Sequence, residues 1–291
     1  MTAAHDPEGT TAPRPAAAPP GTDPTVPDGP APRWTRYVAC GDSFTEGLWD
    51  APDGEDGPLR GWADQLASHL SARRTAADLP ALEYANLAVR GRLMRPILTE
   101  QVPVARGLSP DLVSLVGGGN DVLRPSVDVD RVAADLERAV ARLRADGTDV
   151  LLSTGFDARE SPLVRTTRSR TGVFSAHVWS IARRHGAYVL DLWGMRSLLD
   201  WRMWSEDRIH LTTDGHARVA QAALVALGLP PDRPDWDDPL APLPPVPRVE
   251  RARADARWLR DHAYPWATRR LRRQSSGDSR VAKRPEPLPV E

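Results

Sequence analysis

Between residues 34 and 227 short apolar runs alternate with longer stretches whose apolar residues recur every three or four positions, the pattern of a parallel sheet flanked by helices. The runs predict five strands: Tyr37–Cys40, Leu82–Ala85, Leu112–Val116, Val150–Ser153 and Tyr188–Leu192. Each is nearly all apolar, which suits strands covered on both faces; a sheet with one wet face would alternate strictly. After Ser126, Val132, Leu136, Val140 and Leu143 form a single helical stripe, and Gly147 stands where the residue past a helix end belongs. A second helix is predicted from about Asp214 to Leu227, capped by Thr212 or Thr213, buried through Val219, Ala223 and Leu227 and stopped by Gly228. The stretch is long enough for one α/β domain and short for two.

The flanks differ in kind. Residues 1–33 hold nine prolines among Ala, Thr, Gly and Asp and are predicted to be a disordered tail, because they offer too little apolar surface to offset the entropy of ordering. Residues 228–247 read as a Pro-rich linker lying against the body, since repeated proline forbids a helix interior and a central strand. Residues 248–291 carry 12 basic and 6 acidic residues and read as a basic, partly helical C-terminal extension. There Trp258, Leu259, His262 and Trp266 share a face that Pro265 interrupts, so the expectation is a helix docked on the body followed by a frayed tail. A weak contact with a partner or an anionic surface is its alternative use.

Charge and composition narrow the chemistry. A net charge of -1 gives no general attraction to nucleic acid, and none is expected as a partner. No apolar run is long enough to span a membrane and the N-terminus lacks a signal pattern, so a cytoplasmic location is expected. Cys40 is the single cysteine and the 7 histidines are scattered, so neither an internal disulfide nor a metal site is expected. Of 38 basic residues only Lys283 is lysine, which leaves little room for lysine-based catalysis.

In an open parallel sheet chemistry sits at the carboxyl ends of the strands. Gly41-Asp42-Ser43-Phe44 follows the first run, Asn86-Leu87-Ala88-Val89-Arg90-Gly91 the second and Gly117-Gly118-Gly119-Asn120-Asp121 the third, while Asp207-Arg208-Ile209-His210 precedes the last helix. A serine hydroxyl is a weak nucleophile until a base takes its proton, and an imidazole acting as that base needs a carboxylate to fix its tautomer. Ser43, His210 and Asp207 supply these groups. The backbone N–H groups of Ser43 and Gly91 and the side-chain amide of Asn120 are candidate donors to an oxyanion.

These four clusters, in this order, resemble the four sequence blocks of the SGNH hydrolases, the GDSL-like esterase and lipase superfamily, over about residues 36–227. The resemblance implies a three-layer α/β/α sandwich with a five-stranded parallel flavodoxin-like sheet. By position it implies Ser43 as nucleophile, His210 as base, Asp207 as its orienting acid, and Ser43, Gly91 and Asn120 as oxyanion donors. It implies a serine esterase acting on a small-molecule carboxylic ester, with no metal and no organic cofactor. Phe44 replaces the leucine of the name motif, and the C-terminal extension is not part of the family core. A carbohydrate O-deacetylase would use the same residues, and a catalytically idle scaffold binding a ligand or partner is the alternative of another class.

Other readings carry less. The glycine run 117–119 lacks the Gly-Lys-Ser/Thr of a phosphate loop, and no G-x-S-x-G elbow surrounds Ser43. His216 lacks a carboxylate three residues before it and is expected in a surface or capping role. Asp42 and Asp121 are expected to fix loops through bonds to backbone. Trp49, Trp62, Trp193, Trp201 and Trp204 are expected to pack, and Arg90, Arg92 and Arg95 to lie in solvent.

Overall fold

The computed structural model describes residues 31–51, 58–160, 164–264, 268, 277 and 279–291. The predicted disorder of residues 1–30 and the roles given to Pro265 and Trp266 lie outside them. Five parallel strands form where the apolar runs stand: β1 (Arg36–Gly41), β2 (Glu83–Asn86), β3 (Leu112–Val116), β4 (Asp149–Ser153) and β5 (Tyr188–Leu190). Their order is β5-β4-β3-β1-β2, with the switch in strand order beside β1. Ligand crevices in such sheets open at this switch point.

Because successive side chains on a strand point to opposite faces, β1 feeds two cores. Tyr37 and Ala39 pack with Trp62, Leu66 and Leu70 of α2 (Trp62–Ala76) and with Val219, Ala223 and Leu224 of α8 (Thr213–Ala226). Val38 and Cys40 face Leu136, Val140 and Leu143 of α6 (Val129–Ala145) and Val178 and Ile181 of α7 (Arg168–His185). The short helices α1 (Ser43–Glu46), α3 (Met94–Pro96) and α5 (Gly119–Val122) lie at or near the carboxyl rim, and a π-helical turn, Ile97–Gln101, continues α3 into α4 (Val102–Gly107), which runs back toward the amino end of β3. Each large apolar side chain sealed in these layers contributes roughly 1.5–3 kcal/mol relative to exposure.

The two helices specified from sequence form with the caps expected. Thr212 Oγ1 accepts from Gly215 N at 3.3 Å, and Gly147 and Gly228 take φ of +83° and +78° past the ends of α6 and α8. Helix α2 escapes a periodicity reading because Arg73 and Arg74 sit on its buried face, where they donate to the carbonyls of Pro230, Pro80, Pro32 and Trp34. The predicted N-terminal tail runs too far: Arg33, at its last position, bonds to Asp149 and to the Tyr188 hydroxyl.

The C-terminal stretch holds the expected helix, α9 (Arg248–Trp258), but its end is not the frayed tail expected. Residues Arg284–Pro289 form β6, antiparallel to β2, so the sheet has six strands rather than five. Three prolines in RPEPLP argue against a central strand, and an edge strand tolerates them. Val290 N donates to Leu82 O at 2.8 Å, Tyr84 pairs with Leu288 and Asn86 with Arg284, and the register shifts between Tyr84 and Asn86. Lys283 anchors the start of the strand: its Nζ donates to Glu46 O, Leu59 O and Asp64 Oδ2 at 2.7, 2.9 and 2.6 Å. No helix among the described residues is long and apolar enough to cross a membrane.

Candidate active site

Strand β1 ends at Gly41 and the chain turns directly into α1, whose N-cap is Asp42. A Cβ on Gly41 would lie 2.5 Å from Thr45 Oγ1 and 2.6 Å from Val116 O, so glycine alone lets α1 fold back across the strand end. Gln101 clamps the same residue, accepting from Gly41 N at 2.8 Å and donating to Gly41 O at 2.9 Å. Asp42 Oδ1 accepts from Phe44 N at 3.1 Å, as expected of a loop-fixing carboxylate. Ser43 is thereby held half-buried in the first turn of α1.

The opposing wall is the loop 205–210, closed by an antiparallel bridge between Trp204 and Leu211 and by Ser205 N donating to His210 O at 2.8 Å. Asp207 organises it from within. Its Oδ1 accepts from Ser205 Oγ at 2.7 Å, Ile209 N at 2.9 Å and His210 N at 3.0 Å, which leaves Oδ2 to accept from His210 Nδ1 at 2.6 Å. With Nδ1 protonated toward that carboxylate, Nε2 presents its lone pair to Ser43 Oγ, 2.9 Å away. Burial would raise the Asp207 pKa, but the hydrogen bond and charge of His210, with the N–H groups of His210 and Ile209, outweigh it and hold the carboxyl well below its ordinary range. An ionised Asp207 fixes the imidazole tautomer and favours an imidazolium once His210 takes a proton.

The glycine and asparagine blocks close in from the β2 and β3 ends. Arg90 N donates to Glu46 Oε2 on α1 at 2.7 Å, and Gly91 follows in a left-handed turn at φ +73°. Asn120 Nδ2 donates to Asp42 Oδ2 and to Arg92 O, each at 3.1 Å, so the amide lies one residue from Ser43 and one from Gly91 along two different segments. Asp121 Oδ2 accepts from Met94 N at 2.8 Å and pins the start of α3. Burial pushes the Asp42 pKa up to about 6, against the pull of Phe44 N–H, His210 and Asn120. The arrangement offers a hydroxyl in contact with a base, a carboxylate behind that base, and polar N–H groups beside the hydroxyl, which are the parts acyl transfer needs.

Three expectations fail, for His216, for Arg90 and for the packing of Trp49 and Trp201. His216 is buried rather than superficial: its Nδ1 accepts from Trp62 N at 3.2 Å, its ring lies 6.0 Å from that of Phe44, and burial lowers its pKa to about 3. It faces inward because α8 packs on α2 along that side. Arg90 is not in solvent, since its guanidinium forms a part-buried bidentate pair with Glu46 that ties the glycine block to α1. Trp62 and Trp204 are buried as packing residues, whereas Trp49 and Trp201 are 46% and 39% exposed on the rim. Of the supporting residues Ser205, Glu46 and Gln101, only Glu46, one helical turn after Ser43, stands where sequence spacing flags it.

The GDSL-like Lipase/Acylhydrolase family matches residues 39–218, which span all four blocks. Among solved structures, LAE5, an alpha/beta hydrolase enzyme from the metagenome of Lake Arreo, Spain, aligns at 28% identity with a TM-score of 0.56, over 67% of this chain and 95% of that one. Axe2, an acetylxylan esterase from Geobacillus stearothermophilus, aligns at 22% identity and a TM-score of 0.55 over 70% and 96%. The psychrotrophic esterase EstA from Pseudoalteromonas sp. aligns at 14% identity and a TM-score of 0.52 over 67% and 97%. No curated protein sequence matches the chain. Sheet order, the four converging blocks and a family match over more than half the residues agree: the chain belongs to the GDSL-like lipase/acylhydrolase family of the SGNH superfamily, hydrolases acting on ester bonds.

Proposed function

We propose that the chain is a serine esterase that cleaves a small carboxylic ester through an acyl-enzyme on Ser43. The observation that carries this is the unbroken contact chain from Ser43 Oγ to His210 Nε2 at 2.9 Å and from His210 Nδ1 to Asp207 Oδ2 at 2.6 Å. His210 takes the Ser43 proton as the oxygen attacks the ester carbonyl, then returns it to the departing alcohol. Water enters, gives its proton to the same imidazole and releases the acid, and Ser43 recovers its proton. The tetrahedral oxyanion is met by the N–H groups of Ser43 and Gly91 and by Asn120 Nδ2. Asp42 and the Arg92 carbonyl orient the Asn120 amide, and one of its protons is shared with the oxyanion as charge develops.

Purified protein exposed to a fluorophosphonate probe and to nitrophenyl esters of increasing chain length tests this reading. Labelling that Ser43→Ala abolishes, with ester turnover lost in parallel, supports it; a folded wild type that neither labels nor turns over overturns it in favour of an idle scaffold. A carbohydrate O-deacetylase is the second reading, favoured by the exposed indoles of Trp49 and Trp201 on the rim, since indole faces stack on sugar rings. Activity on acetylated sugars with a strict two-carbon preference selects it.

A further inference from the structure

Helix α9 lies beyond the segment matched to the family, yet it is joined to the loop that carries Asp207 and His210. The buried Trp258 donates from its indole Nε1 to the backbone carbonyl of Asp207 at 3.0 Å. Asp255, one turn earlier on the helix, pairs with Arg208 Nη1 at 2.8 Å. The Arg208 guanidinium lies 5.0 Å from the Trp258 ring centre and 5.8 Å from that of Trp201. Arg208 itself holds φ +57°, the left-handed region that a residue with a Cβ enters at a cost. Such a conformation persists where its surroundings over-determine it, and here the peptide plane before Arg208 is held by Trp258 at its carbonyl and by Ser205 O, which accepts from Arg208 N at 2.9 Å, while its side chain is held from α9.

We infer that Arg208 is a positioning residue, locked by Asp255 and Trp258 of α9 into the left-handed turn that aims Asp207 Oδ2 at His210 Nδ1. The inference rests on the serine esterase reading above. The Trp258 N–H and Ser205 O together fix the plane of the peptide joining Asp207 to Arg208, and φ of Arg208 relates that plane to Ile209 and His210, whose N–H groups bind Asp207 Oδ1. Without the anchor the turn relaxes toward negative φ and the carboxylate swings from the imidazole. A misplacement of about 1 Å in such a constellation costs up to about 10²-fold in rate. The C-terminal helix is in this view a buttress of the acid–base loop.

The test compares Arg208→Ala, Arg208→Gly, Trp258→Phe and Asp255→Asn in the full chain, reading the rate of fluorophosphonate labelling at Ser43, kcat and KM on nitrophenyl acetate, and Tm. Arg208→Ala and Trp258→Phe should each lower kcat and the labelling rate about 10-fold with KM changed less than about twofold, since positioning acts on the chemical step. Arg208→Gly loses the same ion pair and stack but adopts φ +57° freely, so it should recover most of the loss seen in Arg208→Ala. Asp255→Asn, at a part-exposed site, keeps the test open if Trp258→Phe does not fold, with an expected loss of about threefold in kcat. If wild type labels and these variants label equally fast with only Tm lowered, the inference is overturned while the esterase reading stands. It is also overturned if Arg208→Gly is no faster than Arg208→Ala. A wild type that does not label overturns the esterase reading and, with it, this one.

Discussion

Two imidazoles stand a few residues apart, one on the rim loop 205–210 and one in the first turn of α8, and they live in opposite environments. His210 keeps part of its ring in solvent, has an ionised carboxylate behind it and a hydroxyl before it. His216 is sealed between α8, α2 and Phe44, takes its hydrogen bond from a backbone N–H, and is held neutral by burial. The first can accept and return a proton; the second contributes shape and one acceptor. Residue type is the same, and what differs is whether the backbone around it was built to present the ring or to bury it.

The sharpest way to break this comparison is to remove each ring. His210→Ala should cost at least about 10⁴-fold in nitrophenyl acetate turnover while Tm moves little. His216→Ala should lower Tm by several degrees and leave kcat of the folded protein within about threefold, because the ring packs on Phe44 and accepts from Trp62 N without touching the reacting atoms. The reverse pattern would assign the base to His216. Next in size, Asp207→Asn should reduce kcat by about 10³ to 10⁴ with KM nearly constant, because the amide favours the wrong tautomer. An unchanged rate would show that another group orients His210. Asn120→Ala should cost about 10² to 10³ in kcat, and a loss below about threefold would remove it from the oxyanion donors.

Acid titration of stability sharpens the contrast further. His216 has its folded pKa depressed to about 3 from an ordinary 6.5, so its contribution is complete above about pH 6.5 and is lost as pH falls toward 3, where the unfolded chain binds a proton the folded one refuses. Asp42 acts in the opposite sense: raised to about 6 from 3.8, it stabilises the fold below about pH 4 and that contribution is lost as pH rises to about 6. Denaturant unfolding of His216→Gln between pH 3 and 7 should therefore show a shallower loss toward acid than wild type, and a parallel curve would contradict a neutral buried His216. The smallest effect is expected at Lys283→Met. Removing the ammonium from three acceptors, one of them the Asp64 carboxylate, should cost about 1–3 kcal/mol in stability and leave kcat within about twofold.

The five parallel strands were legible because burial on both faces leaves almost no polar residue in β1 or β3, and the four chemical blocks were legible because each directly follows such a run or precedes α8. What stayed hidden follows from polar groups satisfied by tertiary partners. Arg73 and Arg74 look like solvent residues until the carbonyls they serve are in place. Arg90 looks free until Glu46 is brought beside it by α1. His216 looks like a surface residue because no local pattern records the packing of α8 on α2. Trp258 was readable as an apolar anchor, but its hydrogen-bonded partner, the carbonyl of Asp207, is a backbone atom that carries no sequence signal.

The prolines of β6 have a consequence for how the molecule behaves among copies of itself. A sheet edge is a template for intermolecular pairing in proportion to the backbone donors it exposes. Along Arg284–Pro289 three of the six residues, Pro285, Pro287 and Pro289, have no N–H to offer, and the register shift opposite Tyr84 and Asn86 makes the edge irregular, so an incoming strand finds few of the donors it needs to dock in register. The opposite edge, β5, is only 3 residues long. Residues Arg284–Pro289 thus work as a chemical full stop on the sheet: they pair with β2 and offer little to a neighbouring strand, a built-in resistance to edge-to-edge aggregation.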